Sequence, residues 1–437
     1  MMLVNCLVRK AADIFLKKRG LLIVFLILFS TTASHAYSLL THEAMIDVSW
    51  KKSIEPLLLR KFPQSSAEQL LEAHSYAYGG AIMPDIGYSP FGSMIYTDFV
   101  HNVRSGDYVE ALLEEAEDLN EYAFALGSLA HYMADTYGHM IGTNAAVPLV
   151  YPKLKAKYGS PINYAQHHKS HSRLELSFDV LQTARGNYAS KAYHDFIGFN
   201  ISRKLVEKAF HRTYGLDVND VFKSMSVAIS TFRWTIKSLL PNIVRTAWAK
   251  KRDEMRKDSP DAAARRFSYR MKNRTYYHEF GKDHQKAGFF QTVFAVMVVP
   301  LLPKIGPLAK LRFKTPSPEV EQLFIRSFDS TLVNYEQAMA KLHHHNLQLP
   351  NRTLDTGYET VYGEYPIADR NHGEFLLLLN KRKFENLNAE IRDNLIAFFA
   401  AAKPPANRKD QHKWDEISRA LKSLQASVIA EQAIGSK

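Results

Sequence analysis

The chain has 437 residues, 46% of them hydrophobic and 12% aromatic, which is enough to bury a large core and excludes intrinsic disorder as its class. Its formal charge of +12 suits anionic partners such as phospholipid or nucleic acid, although the basic residues are scattered rather than striped. A single cysteine, Cys6, excludes a disulfide framework.

The N-terminus reads as an export signal. Basic residues end at Arg19, the apolar run LLIVFLILF spans Leu21 to Phe29, and small residues stand at Ser34 and Ala36. That run is too short for a comfortable membrane span. Cleavage after Ala36 would remove Cys6 together with Arg9, Lys10, Lys17, Lys18 and Arg19 against Asp13, lowering the charge to +8 and leaving Tyr37 first. The expected product is a periplasmic or secreted protein, with membrane association as a further prospect.

The remainder reads as helix after helix. His42 to Phe62 is periodic, with Thr41 as its N-cap; Ser66 to Tyr78 follows, ended by Gly79-Gly80. The Gly/Pro loop GGAIMPDIGYSPFG then leads to Tyr96 and His101. Asp107 to Met140 is expected as one long central helix, Pro148 to Ala165 as loop, and His171 and Glu175 on the next helix. Asp217 to Met255 is helical with a kink at Pro241.

From Asp258 to Asp283 the chain turns basic and aromatic, a linker or solvated surface arm. Ala287 to Pro303 is apolar but broken by prolines; it reads as a core helix, with interfacial membrane contact as the alternative. Ser317 to His345 is one long helix whose terminal His343, His344 and His345 suit the dipole. The polar, turn-rich Asp355 to His372 reads as a structural connection rather than a cap on a cleft. Helices near Glu374 to Ala402 and Gln411 to Ala433 close the chain. No strand alternation persists, so the fold class is all-α. The expected division is 1–36 as signal, 37–256 as the main helical domain, and 257–437 as an additional C-terminal helical region carrying the apolar segment 287–303.

Chemistry concentrates between Leu126 and Asp179. His131, Asp135 and His139 fall at i, i+4 and i+8, which at roughly 100° per residue keeps all three on one helix face. His171 and Glu175 repeat the spacing on the next helix. Imidazole and carboxylate are zinc ligands, and four residues is the spacing at which a helix aims two of them at one ion. His42, Asp85 in GAIMPDIG and His101 in TDFVHNV are three further candidates. No GxSxG elbow, P-loop or CxxC competes with them.

The ordered set His42, GAIMPDI with Asp85, His101, His131-x3-Asp135, His139 and His171-x3-Glu175 resembles the bacterial zinc-dependent phospholipase C family, over roughly Tyr37 to Val180. The resemblance implies three zinc ions in a helical cleft. One would take Asp85, His101, His131 and Asp135, and a second His139, His171 and Glu175. The third would take His42, a bridging Asp135, and the amino nitrogen and carbonyl oxygen of Tyr37, so that signal cleavage becomes a condition of activity. It implies hydrolysis of a phospholipid to diacylglycerol and a phospho-headgroup by zinc-activated water, with Asp85 orienting or deprotonating that water.

Related single-strand nucleases share the scaffold, so nuclease or phosphatase activity is the alternative reading, and only there is nucleic acid a partner. A membrane-associated protein that keeps the scaffold without turnover is another. Two departures stand out. The third helix ligand comes two residues earlier than in well-known relatives, which would shift the second site and leaves His167 or His168 as substitutes. Ser38 to Thr41 and Ile86 occupy the places of the acidic and aromatic residues that hold a choline-like headgroup.

Overall fold

The computed structural model describes residues 39–184, 199–236, 240, 313–404 and 408–435. The export signal, Tyr37, the Pro241 kink, the basic-aromatic arm and the apolar segment 287–303 lie outside the described residues. Among those described, no strand forms; a single antiparallel bridge joins Arg352 and Glu359. The fold is all-α, as expected.

In chain order the helices are α1 (Leu39–Ser49), α2 (Glu55–Lys61), α3 (Ala67–Ile82), α4 (Met94–Asn102), α5 (Ser105–Glu115) and α6 (Leu119–Tyr137). Then come α7 (Asn144–Val150), α8 (Pro152–Tyr158), α9 (Tyr164–Ala184), α10 (Arg203–Tyr214), the short α11 (Val218–Val221) and α12 (Met225–Trp234). The C-terminal part holds α13 (Pro318–His343), α14 (Pro366–Lys381), α15 (Ala389–Phe399) and α16 (Arg408–Gly435). Among the described residues no helix is long and apolar enough to cross a membrane.

Two helices organise the rest. α3 starts at a capping box in which the Ser66 hydroxyl accepts from the Gln69 amide. It does not stop at Gly79-Gly80 as their turn chemistry predicts. A Cβ at Gly80 would fall 1.9 Å from the Phe124 carbonyl oxygen, and one at Gly127 would fall 2.0 Å from that of Ala77. The two glycines let α3 and α6 cross backbone against backbone, and the helix continues to Ile82.

Several other boundaries differ from the sequence expectation. α1 already includes Thr41, whose hydroxyl donates instead to Asp179 on α9 at 3.1 Å. Leu40 N–H also points to Asp179, 3.3 Å away. The expected single helix from Asp107 to Met140 is two, because Asp118 caps α6 by accepting from the Glu121 amide. The expected loop from Pro148 to Ala165 contains α8 and the end of α7. Expected helix from Asp217 breaks between α11 and α12, and the expected helix from Glu374 to Ala402 divides into α14 and α15.

The long helix expected from Ser317 to His345 forms as α13, with Ser317 as its N-cap accepting from the Val320 amide. α13 lies along α6 and the turn beyond it and also meets α9: Tyr335 donates to the Leu126 carbonyl oxygen at 2.9 Å, a Cβ on Gly142 would come 2.7 Å from the Ser327 hydroxyl, and Phe324 stacks on Phe178 of α9 at 4.5 Å. α14 packs Phe375 edge-on against Phe99 of α4. The hydrophobic core runs without interruption from α1 into these C-terminal helices.

Candidate metal centre

Helix α6 is buried over nearly its whole length, so His131 and Asp135 face protein rather than water. The Nδ1–H of His131 donates to the Ala81 carbonyl oxygen in the last turn of α3, at 2.8 Å. On α4, the His101 Nδ1–H donates to the Thr97 carbonyl oxygen one turn back, at 2.7 Å. In its neutral form each ring then has a bare Nε2 turned inward, and the two nitrogens lie 3.1 Å apart. Two lone pairs at that separation repel unless a cation lies between them.

Asp135 stands in the middle. Its Oδ2 is 3.1 Å from His101 Nε2 and 3.4 Å from His131 Nε2; its Oδ1 is 3.3 Å from His42 Nε2 and 3.6 Å from His139 Nε2. Asp85 sits on the 3-10 turn Met83–Tyr88 rather than on an open loop, with Oδ1 3.6 Å from His101 and Oδ2 4.0 Å from His42. His42 stacks on His131, ring centroids 4.3 Å apart.

A second group adjoins the first. After Tyr137 the backbone widens into a π-helical turn, Gly138–Thr143, of the kind that gathers at functional sites. His139 lies in that turn, its Nε2 3.7 Å from Glu175 Oε1. His171 presents its Nδ1 to the same oxygen at 2.9 Å. α9 is kinked at His167, whose Nδ1 accepts from the Ser170 amide. His167 therefore caps the ligand-bearing part of α9, and His168 is exposed, so His139 rather than either of them faces Glu175.

These distances suit a metal ion better than a hydrogen-bond network. Two donors about 2.0–2.1 Å from zinc at a tetrahedral angle are about 3.3 Å apart. Both oxygens of Asp85 and of Glu175 are buried with no hydrogen-bond donor aligned on them. Among the described residues, the ion-pair partners of Asp85, Asp135 and Glu175 are histidines, never Lys or Arg. Several carboxylates gathered away from water without a fixed cation are strongly unfavourable, and bound divalent ions remove that penalty.

The ion-free groups titrate accordingly. Burial pushes Asp85 up to about 6. Burial, reinforced by His131, holds His42 down at about 4. For Asp135 burial works against ionisation, but His131 and His139 outweigh it and hold the carboxyl well below the usual range. Burial likewise opposes protonation of His139, yet Asp135, Asp355 and Glu175 together raise it to about 9.

All the predicted side chains in the described residues thus meet at one place: His42, Asp85, His101, His131 and Asp135 in one group, His139, His171 and Glu175 in the next. Among the described residues, three donor trios have ligand atoms mutually within 4.8 Å: His42, His131 and Asp135; Asp85, His101 and His131; and His139, His171 and Asp355. The last holds a residue that sequence reasoning missed. Asp355 Oδ1 lies 3.0 Å from His139 Nδ1 and 3.3 Å from His171 Nε2. It opens the segment read as a plain connection. The sole signal in the sequence is the turn Leu354-Asp355-Thr356-Gly357, which says nothing of direction.

Comparison with known proteins agrees with this geometry. Residues 41–223 match the family described as zinc dependent phospholipase C. Over that stretch the chain is similar to the zinc-dependent phospholipase C family. The match includes every described candidate except Asp355, and it covers less than half of the chain. An Archaeoglobus fulgidus protein, described only as uncharacterized, is 28% identical over 156 residues, 35% of this chain and 42% of that protein. The chain therefore spans less than half the length of the relative it matches. No solved structure matches. As a family of zinc-dependent hydrolases, the phospholipases C agree with a buried His/Asp cluster suited to metal.

Proposed function

We propose that the chain is a zinc-dependent phosphodiester hydrolase that cleaves phospholipids to diacylglycerol and a phospho-headgroup. The observation that carries the reading is the convergence of Asp85, His101, and the α6 pair His131 and Asp135 from three separate elements on one buried point, next to His139, His171 and Glu175. Three ions are proposed: the first held by Asp85, His101, His131 and Asp135, the second by His139, His171 and Glu175. The third would be held by His42, Asp135 and the terminal amino nitrogen and carbonyl oxygen of Tyr37 after export and cleavage. Asp179 supports that last assignment, because it ties the amide of Leu40 and the hydroxyl of Thr41 close behind the proposed terminus.

Bound zinc supplies an acidified water, with a pKa near 7, and positive charge against the phosphate oxygens. Asp85, beside His101 and His42 in the cluster, would orient that water and take its proton. In-line attack at phosphorus breaks the bond to the diacylglycerol oxygen, which leaves with a proton. Burial of Ile86 on the turn beside Asp85 removes it as a wall for a choline group, so the reading carries no choline preference. Export to the periplasm or exterior, and peripheral contact with a membrane, belong to the same proposal.

One assay set tests it. The full chain is loaded with zinc and offered phospholipid vesicles, single-stranded DNA and a phosphomonoester. Diacylglycerol release that stops on chelation and returns with zinc supports the reading. Nucleotide or inorganic phosphate release alone moves the substrate to the nuclease or phosphatase alternative. Zinc binding without turnover of any of the three leaves a metal-binding scaffold and ends the enzymatic reading.

A further inference from the structure

Asp355 comes from the loop between α13 and α14, outside the segment that matches the family, yet it reaches the heart of the second group. Its two oxygens are used differently. Oδ2 accepts the Tyr164 amide at 3.0 Å and the Tyr365 hydroxyl at 2.8 Å. Oδ1 faces His139 Nδ1 at 3.0 Å and His171 Nε2 at 3.3 Å. Asn144 supplements it: its Oδ1 lies 2.7 Å from His171 Nε2 while its Nδ2 donates to the Asp355 carbonyl oxygen at 2.6 Å.

Glu175 faces the opposite nitrogens of the same two rings, His139 Nε2 and His171 Nδ1. The two carboxylates are not equivalent. Asp355 is supplied with hydrogen-bond donors on both oxygens, whereas neither Glu175 oxygen has one aligned on it. A carboxylate that already accepts from protein groups orients histidines; one left without donors is positioned to meet an ion.

We infer that Asp355 is a positioning residue for the second zinc site: it accepts the Nδ1–H of His139 and, with Asn144, the Nε2–H of His171, so that both rings turn their unprotonated nitrogens toward Glu175. This rests on the zinc reading above. It makes the C-terminal helical region part of the metal centre. The loop is fixed for the task. Leu354 N–H donates to the His101 carbonyl oxygen at 3.0 Å, Ser105 bonds the Arg352 backbone, and Tyr132 donates to the Pro350 carbonyl oxygen at 2.6 Å. Gly357, at φ +76°, lies so close to α6 that a Cβ would come 2.9 Å from the Thr136 carbonyl oxygen.

Two measurements test the inference on the full chain. In the zinc-loaded protein with 15N-labelled histidine, the long-range 1H–15N pattern is expected to show His139 protonated at Nδ1 and His171 at Nε2; the reverse tautomer on either ring overturns it. In a chelator competition, Asp355→Ala is expected to hold one zinc about 10–100-fold more weakly while reaching the wild-type zinc content at saturation. Unchanged affinity overturns the inference. So does a zinc permanently lost at saturation, which would make Asp355 a ligand. The tautomer result stands even if Asp355→Ala does not fold. A wild-type chain that binds no zinc at all sinks the metal-centre reading itself, a result distinct from each of these.

Discussion

His42 Nε2 and Asp135 Oδ1 lie 3.3 Å apart, although α1 and α6 are joined only through the core. The other oxygen of Asp135 faces His101 and His131, so one carboxylate serves two groups of nitrogens. Asp135→Asn keeps the shape and removes the charge. Its zinc content is expected to fall from three ions to one, with activity lower by at least about 1,000-fold, which is roughly 4 kcal/mol of barrier. Elemental analysis of the purified variant checks the first and the vesicle assay the second.

His139 gives a pH dependence of zinc binding. Held up at about 9 by Asp135, Asp355 and Glu175 against the effect of burial, its ring carries a proton at pH 7 in the ion-free protein. Zinc must displace that proton, so affinity for the second ion is expected to rise from pH 7 towards 9. Calorimetry in buffers of different ionisation enthalpy should show at least one proton released per chain loaded at pH 7. Release of none would contradict the protonation state assigned to His139.

A separate histidine governs acid stability. His372 on α14 is buried, stacks on Phe398 at 3.6 Å and keeps a contact from Nδ1 to the Ala368 carbonyl oxygen. Burial lowers it from 6.5 to about 4. The folded ring stays neutral where the unfolded one takes a proton, so its contribution is present above pH 6.5 and is lost as pH falls towards 4. The loss by pH 4.5 is about 2–3 kcal/mol. Urea unfolding of wild type and His372→Phe in the same zinc buffer should differ by that much more at pH 4.5 than at pH 7, with the variant less acid-sensitive.

The crossing of α3 and α6 leaves no room for a methyl group. Gly127→Ala or Gly80→Ala would drive Cβ to about 2 Å from a carbonyl oxygen of the partner helix. Destabilisation of about 3 kcal/mol or more is expected. Because Asp85 follows α3 and His131 and Asp135 lie on α6, zinc affinity should fall together with Tm. Calorimetric melting beside zinc content checks both.

The same glycines show where sequence reading fell short. A Gly-Gly pair signals a helix end or a close approach alike, and the feature that decides, Gly127, lies on another helix. The ligand stripe was legible because His131, Asp135 and His139, and again His171 and Glu175, are tied by helical spacing within single elements. His42, Asp85 and His101 were legible only as an ordered set. Asp355 obeys no spacing with any of them. Its place follows from tertiary hydrogen bonds, such as Leu354 to His101, that no local pattern encodes. Breaks at Asp118 and within 382–388 were hidden because the flanking segments share one apolar period.

Diffraction from zinc-loaded crystals, collected on both sides of the zinc absorption edge, tests the central claim most directly. Anomalous peaks are expected between Asp85, His101, His131 and Asp135, and between His139, His171 and Glu175, each about 2.0–2.2 Å from its ligand atoms. A third is expected between His42 and Asp135. An edge map with no peak among these side chains, from protein shown to be folded, would contradict the account.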